Sequence, residues 1–282
     1  ISVITNINYA HAKNFRNIRQ IALAKAEIIH NTKDDGHVVL NADDAFFNLH
    51  KQIANKKKIK ILSFGINNRN ADIKLNKLFK NKNKYNILVK INKLKINFTI
   101  SNNFQNHIYN VLAALAIKSI FFDVSKLNKN IFLNFKTPEG RGDITKIKVN
   151  KKIINLIDES YNSNPLSLKT AILNYDKIKI KNAKKYLLLG DMLELGSHSK
   201  KLHESISPVI NRTNIDKVFV SGKEIFHLYN RISKLKKGSV LKNKIQIMDL
   251  IEKNLDNNDF LMIKASNATG FNKIVKELKG TN

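Results

Sequence analysis

The chain has 282 residues, a formal net charge of +28 and a hydrophobic content of 43%, which is ordinary for a globular protein. It contains no run of about 18 apolar residues, and its start lacks a basic segment followed by an apolar block, so we expect neither a transmembrane helix nor a signal peptide. The absence of cysteine excludes disulfides and thiolate metal sites. These features predict a soluble, cytoplasmic protein of about two domains.

The positive charge comes almost entirely from lysine and is spread along the chain together with asparagine. Arginine occurs only at Arg16, Arg19, Arg69, Arg141, Arg212 and Arg231. A protein that reads nucleic-acid bases favours arginine forks and interleaved aromatic residues, because these pair with base edges and stack on bases. We therefore predict no dedicated nucleic-acid partner, and a basic nucleic-acid-binding protein remains the non-enzymatic alternative.

The first half of the chain combines short apolar runs, an amphipathic helix and a hairpin. The predicted strands are residues 1–7, 38–40, 59–64, 87–91 and 94–100, and the predicted helices start at residue 18 and at about residue 106, the second ending near residue 122. Asn92 and Lys93 separate two runs of alternating apolar and polar residues, which is typical of a hairpin with one buried face. The chain starts at Ile1 inside a strand-like run, so we expect it to be a fragment.

One lysine falls on the apolar stripe of the first helix. The stripe consists of Ile18, Ile21, Ala22, Ile28 and Ile29, at three- and four-residue spacing. Lys25 lies four residues after Ile21 and four before Ile29. An uncompensated buried ammonium is costly, so this side chain must extend to solvent, pair with an anion or be chemically modified.

The second half of the chain predicts a Rossmann-like domain. Its predicted strands are residues 144–149, 153–158, 186–189, 218–220, 245–247 and 260–264, and its predicted helices are residues 166–175, 200–211, 225–233, 250–255 and 271–278. Strands that alternate with helices at this spacing form a mostly parallel sheet covered on both faces. Residues 137–143 contain one of the three prolines and two of the ten glycines, so they form the best boundary. We predict a central domain at 1–136, a linker at 137–143 and a carboxyl-terminal domain at 144–282.

A group of polar side chains, Asp-Glu-Ser-Tyr-Asn-Ser-Asn-Pro, occupies residues 158–165 between a predicted strand and a predicted helix. Ligands of α/β proteins bind at such turns, because strand carboxyl ends and helix amino ends meet there and leave N–H groups unpaired. A well-capped surface turn could have the same composition. The stretch resembles the Asp-Asp/Glu-Ser-Tyr-Asn-Ala-Asn-Pro signature of the Mur ligases, with Ser163 where that family usually has alanine.

Further stretches resemble motifs of the same family. Residues 5–11 are similar to Thr-Asn-Ile-x-x-x-His, residues 24–28 are similar to Ala-Lys-x-Glu-Ile, and residues 41–44 have the motif Asn-Ala-Asp-Asp. Residues 106–114 are similar to Gly-x-His-Asn-x-x-Asn-Ala-Leu-Ala-Ala. Residues 190–196 match Gly-Asp-Met-x-Glu-Leu-Gly, and residues 264–267 are similar to Lys-Gly-Ser-Arg/Asn. Phe104, His107 and Ala265 depart from these motifs. The resemblance implies an α/β fold in which part of a Mur ligase central ATPase domain, a mostly parallel sheet with helices and a β-hairpin, precedes a Rossmann-like domain.

Within the family, the motifs resemble the branch that joins D-alanyl-D-alanine to UDP-N-acetylmuramoyl-tripeptide through an acyl phosphate in peptidoglycan synthesis. The resemblance implies that ATP and Mg²⁺ are the cofactors. It implies that His11 is a magnesium ligand and that Lys25, as a carbamate, helps to hold a second magnesium, both serving catalysis. The implied nucleotide contacts are Asn110, His107, Arg141, Glu159 and Tyr161. The implied substrate contacts are Asn162, Asn164, Asp191, Lys264 and Ser266.

The family's phosphate-binding loop, with its Gly-Lys-Thr sequence, does not occur in these 282 residues. Such a loop cradles phosphates with its backbone N–H groups, so we expect this chain alone to be inactive as a ligase. We also expect a monomer. Besides nucleic-acid binding, two alternatives stay open: another Mur-type ligase that adds a different amino acid, and a truncated, non-catalytic remnant.

Overall fold

A computed structural model describes residues 1–82, 84–101, 107–135 and 137–280. It contains two compact units: the first comprises Ile1–Asn8 and Phe15–Lys136, and the second comprises Tyr9–Asn14 and Thr137–Asn282. Each unit is built on a six-stranded, mainly parallel sheet with helices, which confirms the predicted α/β fold class. Among the described residues, no helix combines the length and apolar character needed to cross a bilayer.

The sheet of the first unit follows the chain order. Its strands are β1 (Ser2–Ile4), β2 (His37–Asn41), β3 (Lys60–Gly65), β4 (Ile73–Asn81), β5 (Lys84–Ile91) and β6 (Leu94–Ser101), and its helices are α1 (Ile18–His30), α2 (Phe47–Lys56) and α3 (Ile108–Phe121). Strands β1 to β4 are parallel, whereas β4, β5 and β6 pair antiparallel. The predicted hairpin is confirmed, with Ile91 paired to Leu94. Its alternate apolar residues are buried in one core with α3.

Helix α1 begins after Asn17, whose side chain accepts a hydrogen bond from the backbone N–H of Gln20. Its buried residues are Ile21, Ala22, Ala26 and Ile29. The prediction that Ile28 belongs to this stripe is wrong, because Ile28 is 44% exposed. Lys25 is also exposed, since its long side chain extends past the buried stripe and its ammonium donates to the Asn6 carbonyl oxygen at 3.3 Å.

Sequence patterns missed two elements of the first unit. Helix α2 is polar overall and buries only His50 and Ala54, so its sequence contains no clear stripe of large apolar residues. Strand β4 buries only Ile73 and is otherwise half-buried or exposed. It exists because it pairs with β5 along most of its length, a contact that the local sequence does not encode. Helix α3 starts at Ile108, and the predictions at Phe104 and Asn106 fall outside the described residues.

The sheet of the second unit has the order β11-β10-β9-β12-β8-β7. The strands are β7 (Asp143–Val149), β8 (Lys152–Glu159), β9 (Lys185–Gly190), β10 (Lys217–Ser221), β11 (Lys237–Val240) and β12 (Phe260–Lys264); the helices are α4 (Pro165–Asp176), α5 (Ser199–Glu204), α6 (Ser207–Asn211), α7 (Ile225–Arg231), α8 (Lys244–Asn254) and α9 (Phe271–Lys279). Only β7 is antiparallel to its neighbour. Along β9, Tyr186 and Leu188 enter one core, whereas Leu187 and Leu189 enter a second core. Both faces of the sheet are therefore covered, as the Rossmann-like prediction requires.

Two predicted elements of this unit are wrong. Residues 245–247 belong to helix α8 rather than to a strand, and the edge strand is β11. The Ile-Gln-Ile alternation resembles a strand, but Ile247, Leu250 and Ile251 form a helical stripe and Ile245 is 72% exposed. The single helix predicted at 200–211 is two short helices, α5 and α6. Pro208 lies at the start of α6 because it cannot donate the hydrogen bond that a continuous helix would need.

Candidate active site

In the first unit, residues 41–44 hold the segment that follows β1. The side-chain amide of Asn41 donates to the Thr5 carbonyl oxygen at 2.9 Å. The backbone N–H of Ile7 donates to Asp44 Oδ2 at 2.7 Å. These bonds fix the polar segment after β1 at the carboxyl edge of the sheet, where α/β folds bind ligands.

The neighbouring carboxylate, Asp43, organises the loop after β3. It accepts hydrogen bonds from the backbone N–H groups of Ile66 at 2.6 Å, Asn67 at 3.0 Å and Asn68 at 2.7 Å. The phenol of Tyr109, in the first turn of α3, donates to Asp43 Oδ2 at 2.9 Å. Strand β2, the loop after β3 and helix α3 therefore meet on one side chain.

The two candidate nucleotide contacts of the first unit lie together at the start of α3. The side-chain amide nitrogen of Asn110 lies 3.4 Å from His107 Nδ1. Asn110 is exposed and His107 is half-buried. Lys25 lies elsewhere in the unit and lines a cavity of about 520 Å³ with residues of β1 and α1.

In the second unit, Lys264 and Glu159 form a pair at the carboxyl ends of β12 and β8. Their Cα atoms are register partners. Lys264 Nζ donates to Glu159 Oε2 at 3.1 Å and to the Asn162 carbonyl oxygen at 3.0 Å. Burial lowers the pKa of Lys264, and the adjacent Glu159 carboxylate opposes that effect. The ammonium thus ties the end of β8 to the turn that follows it.

Arg141 and Tyr161 stack above the same turn. The guanidinium carbon of Arg141 lies 4.2 Å from the centre of the Tyr161 ring, which is a cation–π distance. The backbone N–H of Tyr161 donates to the Gly140 carbonyl oxygen at 3.1 Å. Gly140 has φ +73°, and a Cβ there would lie 2.9 Å from the Tyr161 backbone nitrogen. The turn therefore requires glycine at this position both for its conformation and for the close approach.

Ser266 joins the loops after β8, β9 and β12. It is 4% exposed. Its hydroxyl donates to the Ser163 carbonyl oxygen at 3.3 Å and accepts from the Leu193 N–H at 2.9 Å. Asp191 is also engaged, because its carboxylate accepts hydrogen bonds from the backbone N–H groups of Lys223 at 3.2 Å and Ile225 at 2.7 Å. Both side chains support the loops at this edge.

The two candidate asparagines differ in exposure and in role. Asn164 is the N-cap of α4 and forms a capping box with Ser167, with hydrogen bonds of 2.9 and 3.0 Å. Asn162 is exposed, and its side-chain oxygen accepts from the N–H of Ser163 at 2.8 Å. Asn162 therefore has the more accessible amide, whereas Asn164 fixes the start of the helix.

His11 belongs to the second unit although it precedes α1 in the chain. Its Nδ1 contacts the carboxylate of Glu194, and both side chains are largely exposed. The backbone N–H of Lys13 donates to the Glu194 carbonyl oxygen at 2.8 Å, which anchors the segment. The His11 imidazole is therefore placed beside residues 190–196, one of the motif stretches.

Family models match both halves of the chain. Residues 1–118 match the Mur ligase middle domain, and residues 142–267 match the Mur ligase, glutamate ligase domain. The chain belongs to the Mur ligase family. The two matched segments fall in the first and second units of the structure, respectively, apart from the segment Tyr9–Asn14.

Individual Mur ligases resemble this chain along nearly all of its length. The UDP-N-acetylmuramoyl-tripeptide--D-alanyl-D-alanine ligase of Rickettsia prowazekii is 28% identical over 98% of this chain and 60% of the relative. The ligase of the same name from Bacillus subtilis is 27% identical over 98% of this chain and 58% of the relative. The chain therefore spans about three fifths of the length of these relatives.

Solved Mur ligase structures have the same fold. MurF from Acinetobacter baumannii matches with a TM-score of 0.81 and 19% identity, over 99% of this chain and 59% of that structure. MurF ligase from Thermotoga maritima, in complex with ADP, matches with a TM-score of 0.78 and 22% identity, over 99% of this chain and 61% of that structure. At these identities the likeness establishes the fold.

The His, Asp and Glu side chains of the described residues supply at most part of a metal site. Within the described ranges, no group of three or more His, Asp or Glu side chains could hold a metal ion. His11 and Glu194 together offer one imidazole nitrogen and one carboxylate. Mg²⁺ prefers about six oxygen ligands and takes several of them from water and substrate phosphates. His11 and Glu194 would therefore supply only part of the ligands of a Mg²⁺ ion, and the remaining oxygen ligands would come from water and phosphate groups.

Sequence reasoning missed the supporting residues of these sites. No role was predicted for Asp43, Tyr109 or Glu194. The signal for Asp43 was present in the motif at residues 41–44, and Glu194 lies in the motif at residues 190–196. The partners of both are far away in the sequence, 66 residues for Asp43 and 183 for Glu194, and no local pattern reveals them.

Proposed function

We propose that this protein is the part of an ATP-dependent ligase that joins D-alanyl-D-alanine to UDP-N-acetylmuramoyl-tripeptide in peptidoglycan synthesis. The observation that carries the proposal is the edge of the second unit where the loops after β8, β9 and β12 are tied together by Lys264 and Ser266. All three loops contain motifs of this ligase branch. The ligases of this name from Rickettsia prowazekii and Bacillus subtilis, which align over 98% of the chain, support the same assignment.

The proposed reaction activates a carboxylate. A carboxylate oxygen of the tripeptide attacks the γ-phosphorus of ATP, which gives an acyl phosphate and ADP. The amine of D-alanyl-D-alanine then attacks the acyl carbon, loses a proton and expels inorganic phosphate as the amide forms. Phosphoryl transfer of this kind depends mainly on positioning and on charge neutralisation. When bound, Mg²⁺ supplies neutralisation of the phosphate charge.

We propose nucleotide contacts for residues of both units. Asn110 and His107 at the start of α3 present an amide and an imidazole, which can hydrogen-bond a base. Arg141 presents a guanidinium stacked on Tyr161, which suits a phosphate oxygen or a planar group. Glu159 is 21% exposed and held by Lys264, so its second oxygen can accept a hydrogen bond from the nucleotide.

The remaining candidates have proposed roles of two kinds. Asn162 is exposed and can contact substrate directly, whereas Asn164, Asp191, Lys264 and Ser266 act by holding the loops that form the site. His11 beside Glu194 is the proposed protein contribution to the binding of Mg²⁺, completed by phosphate oxygens. Lys25, as a carbamate, would place a negative charge in the cavity of about 520 Å³ next to it. We also propose that the protein acts as a monomer in the cytoplasm, which its lack of cysteine fits.

The test measures phosphate release from ATP by the full-length gene product. We expect release only when both UDP-N-acetylmuramoyl-tripeptide and D-alanyl-D-alanine are present. L-alanine and D-glutamate serve as alternative amine acceptors, and release with either of these instead would identify another Mur-type ligase. A folded protein that releases no phosphate with any acceptor, yet binds DNA with a steep salt dependence, would overturn the ligase proposal.

A further inference from the structure

The carboxylate of Asp43 in the first unit has a role that the proposed reaction does not use. It lies just after β2 and accepts hydrogen bonds from three consecutive backbone N–H groups, those of Ile66, Asn67 and Asn68. Within the described ranges, no Lys, Arg or His forms an ion pair with it. Its charge is therefore balanced by peptide dipoles, in the arrangement by which a backbone nest holds an anion.

The environment keeps Asp43 ionised. Burial raises the pKa of this carboxyl group, but the hydrogen bonds from residues 66–68 and from the Tyr109 hydroxyl outweigh burial and lower it. Tyr109 shows the reciprocal effect, because burial and the Asp43 carboxylate raise its pKa to about 12. At neutral pH the pair is therefore a carboxylate that accepts and a phenol that donates.

The Tyr109 bond differs in kind from the three backbone bonds. The loop at residues 66–68 is already held by its own N–H groups and by the Asn68 amide, which donates to the Ala42 carbonyl oxygen at 3.0 Å. The phenol instead connects β2 to the first turn of α3, across 66 residues of sequence. His107 and Asn110 lie two residues before and one residue after Tyr109. A shift of this turn would move both side chains.

We propose that Asp43, acting through the Tyr109 hydroxyl, is a positioning residue that sets the first turn of α3 and thereby the choice of nucleotide base by His107 and Asn110. This role rests on the proposed function, in which the start of α3 contacts the base. Asp43 does not touch the nucleotide. The space around its carboxylate is tight, because a Cβ at Gly65 would lie 3.2 Å from both carboxylate oxygens. A longer acid could not keep the same contacts.

The main test variant is Tyr109→Phe, which removes only the hydroxyl and leaves the three backbone bonds of Asp43 in place. Tyr85→Phe is the matched control, since Tyr85 packs against the same core and its hydroxyl has no hydrogen bond in the described part of the chain. Asp43→Asn is the second variant, because an amide nitrogen cannot accept the N–H groups of the loop. All variants are made in the full-length gene product.

The first readout is amide hydrogen exchange, which needs no nucleotide. We expect Tyr109→Phe to speed amide exchange in the amino-terminal turn of α3 by about tenfold or more, because one charge-assisted hydrogen bond is lost, and to leave exchange at residues 66–68 unchanged. Asp43→Asn should speed exchange in both segments. Tyr85→Phe should change neither. Unchanged exchange of α3 in Tyr109→Phe would overturn the proposed role.

The second readout is the ratio of the dissociation constants of GTP and ATP. We expect the unmodified protein to prefer ATP and Tyr109→Phe to bind ATP about five- to tenfold more weakly with little change for GTP, so that the ratio falls. A purely structural effect would weaken both nucleotides equally, and that result would overturn the proposal. Failure of the unmodified protein to bind ATP would overturn the proposed function itself, and exchange data would still report whether Asp43 positions α3.

Discussion

The ammonium of Lys264 lies 3.1 Å from the carboxylate of Glu159, and the two residues are register partners on the adjacent parallel strands β12 and β8. Lys264 is 2% exposed, so its charge depends on Glu159 and on the Asn162 carbonyl for compensation. A lysine held in this way cannot move out to a substrate without leaving the Glu159 carboxylate unpaired. Its contribution to the site is the placement of Glu159.

The pair should be energetically coupled. We expect Lys264→Met to lower the free energy of unfolding by about 2–3 kcal/mol, because it leaves the Glu159 carboxylate without its partner. The double variant with Glu159→Gln should lose less unfolding free energy than the two single variants lose together. The difference, which is the coupling energy of the pair, should be about 1–3 kcal/mol. Urea denaturation measures all four proteins. Lys273→Met, at an exposed position of α9, is the control, and additive effects would contradict the pairing.

Replacing Ser163 with alanine should stabilise the protein. Its hydroxyl is buried and has no hydrogen-bond partner among the residues that the structure describes. We expect Ser163→Ala to raise the free energy of unfolding by about 1 kcal/mol, because the unpaired hydroxyl no longer has to be desolvated. Ser160→Ala in the same turn is the matched control, since the Ser160 hydroxyl donates to Asp158 Oδ1 at 2.6 Å. That variant should lose stability, and equal effects of both substitutions would refute this account.

Two glycines allow the cost of a close contact to be separated from the cost of conformation. Gly140 has φ +73° and would place a Cβ 2.9 Å from the Tyr161 backbone, whereas Gly270 has φ +82° and no heavy atom within 4 Å of a Cβ. We expect Gly270→Ala to lower the free energy of unfolding by about 1–2 kcal/mol, because alanine must adopt the left-handed conformation. Gly140→Ala should lower the free energy of unfolding by more, because the added Cβ also lies too close to Tyr161, and it should displace Tyr161 from Arg141. Equal losses in denaturant titrations would show that the contact can relax freely.

The buried His203 should make the second unit sensitive to acid. Its Nε2 accepts the N–H of Met192 at 3.0 Å, and its Nδ1 donates to the Ser199 carbonyl oxygen at 2.9 Å. Burial lowers the pKa of His203, and nearby His227 lowers it further. The Ser199 carbonyl and the carboxylates of Asp191 and Glu224 raise the pKa, but the effect of burial is larger. The unfolded chain therefore binds a proton that the folded chain does not, and stability falls as the pH drops below the ordinary value of 6.5.

For one histidine, the free energy of unfolding can fall by at most about 1.4 kcal/mol for each pH unit of acidification. Unfolding free energies measured by urea titration between pH 7.5 and pH 5 give this slope. His203→Asn should be less stable at pH 7.5 but should show a shallower loss on acidification. His30→Gln, at an exposed position of α1, should keep the slope of the unmodified protein. A slope that His203→Asn leaves unchanged would assign the acid sensitivity to other groups.

Lys25 provides a test of the proposed carbamate. Lys25→Ala should reduce ligase activity of the full-length gene product by about tenfold or more, and a short-chain carboxylate in the buffer should restore part of it by occupying the adjacent cavity. Arg19→Ala, on the same helix, should keep normal activity. Activity that survives in Lys25→Ala would remove this residue from the mechanism, and loss without rescue would indicate a role for the ammonium itself.

Much of the fold could be predicted from local patterns. The alternation of apolar and polar residues around Asn92 specified the hairpin, and the run of buried residues in β9 and β12 specified central strands. Prediction failed where the local pattern was ambiguous or weak. Residues 245–247 alternate like a strand but continue into a helical stripe, and β4 buries only Ile73, so its existence depends on pairing with β5.

The sequence by itself determined the family, the α/β class and the stretches in which the site residues lie, because these depend on short motifs and on periodicity. Only the tertiary structure decided what the side chains do. Lys264, Ser266 and Asp191 bind other loops of the protein, and Asp43 receives its donors from a loop 23 to 25 residues away and from a helix 66 residues away. Hydrogen bonds of this kind form between segments that only the folded sheet brings together, so no local sequence pattern contains them.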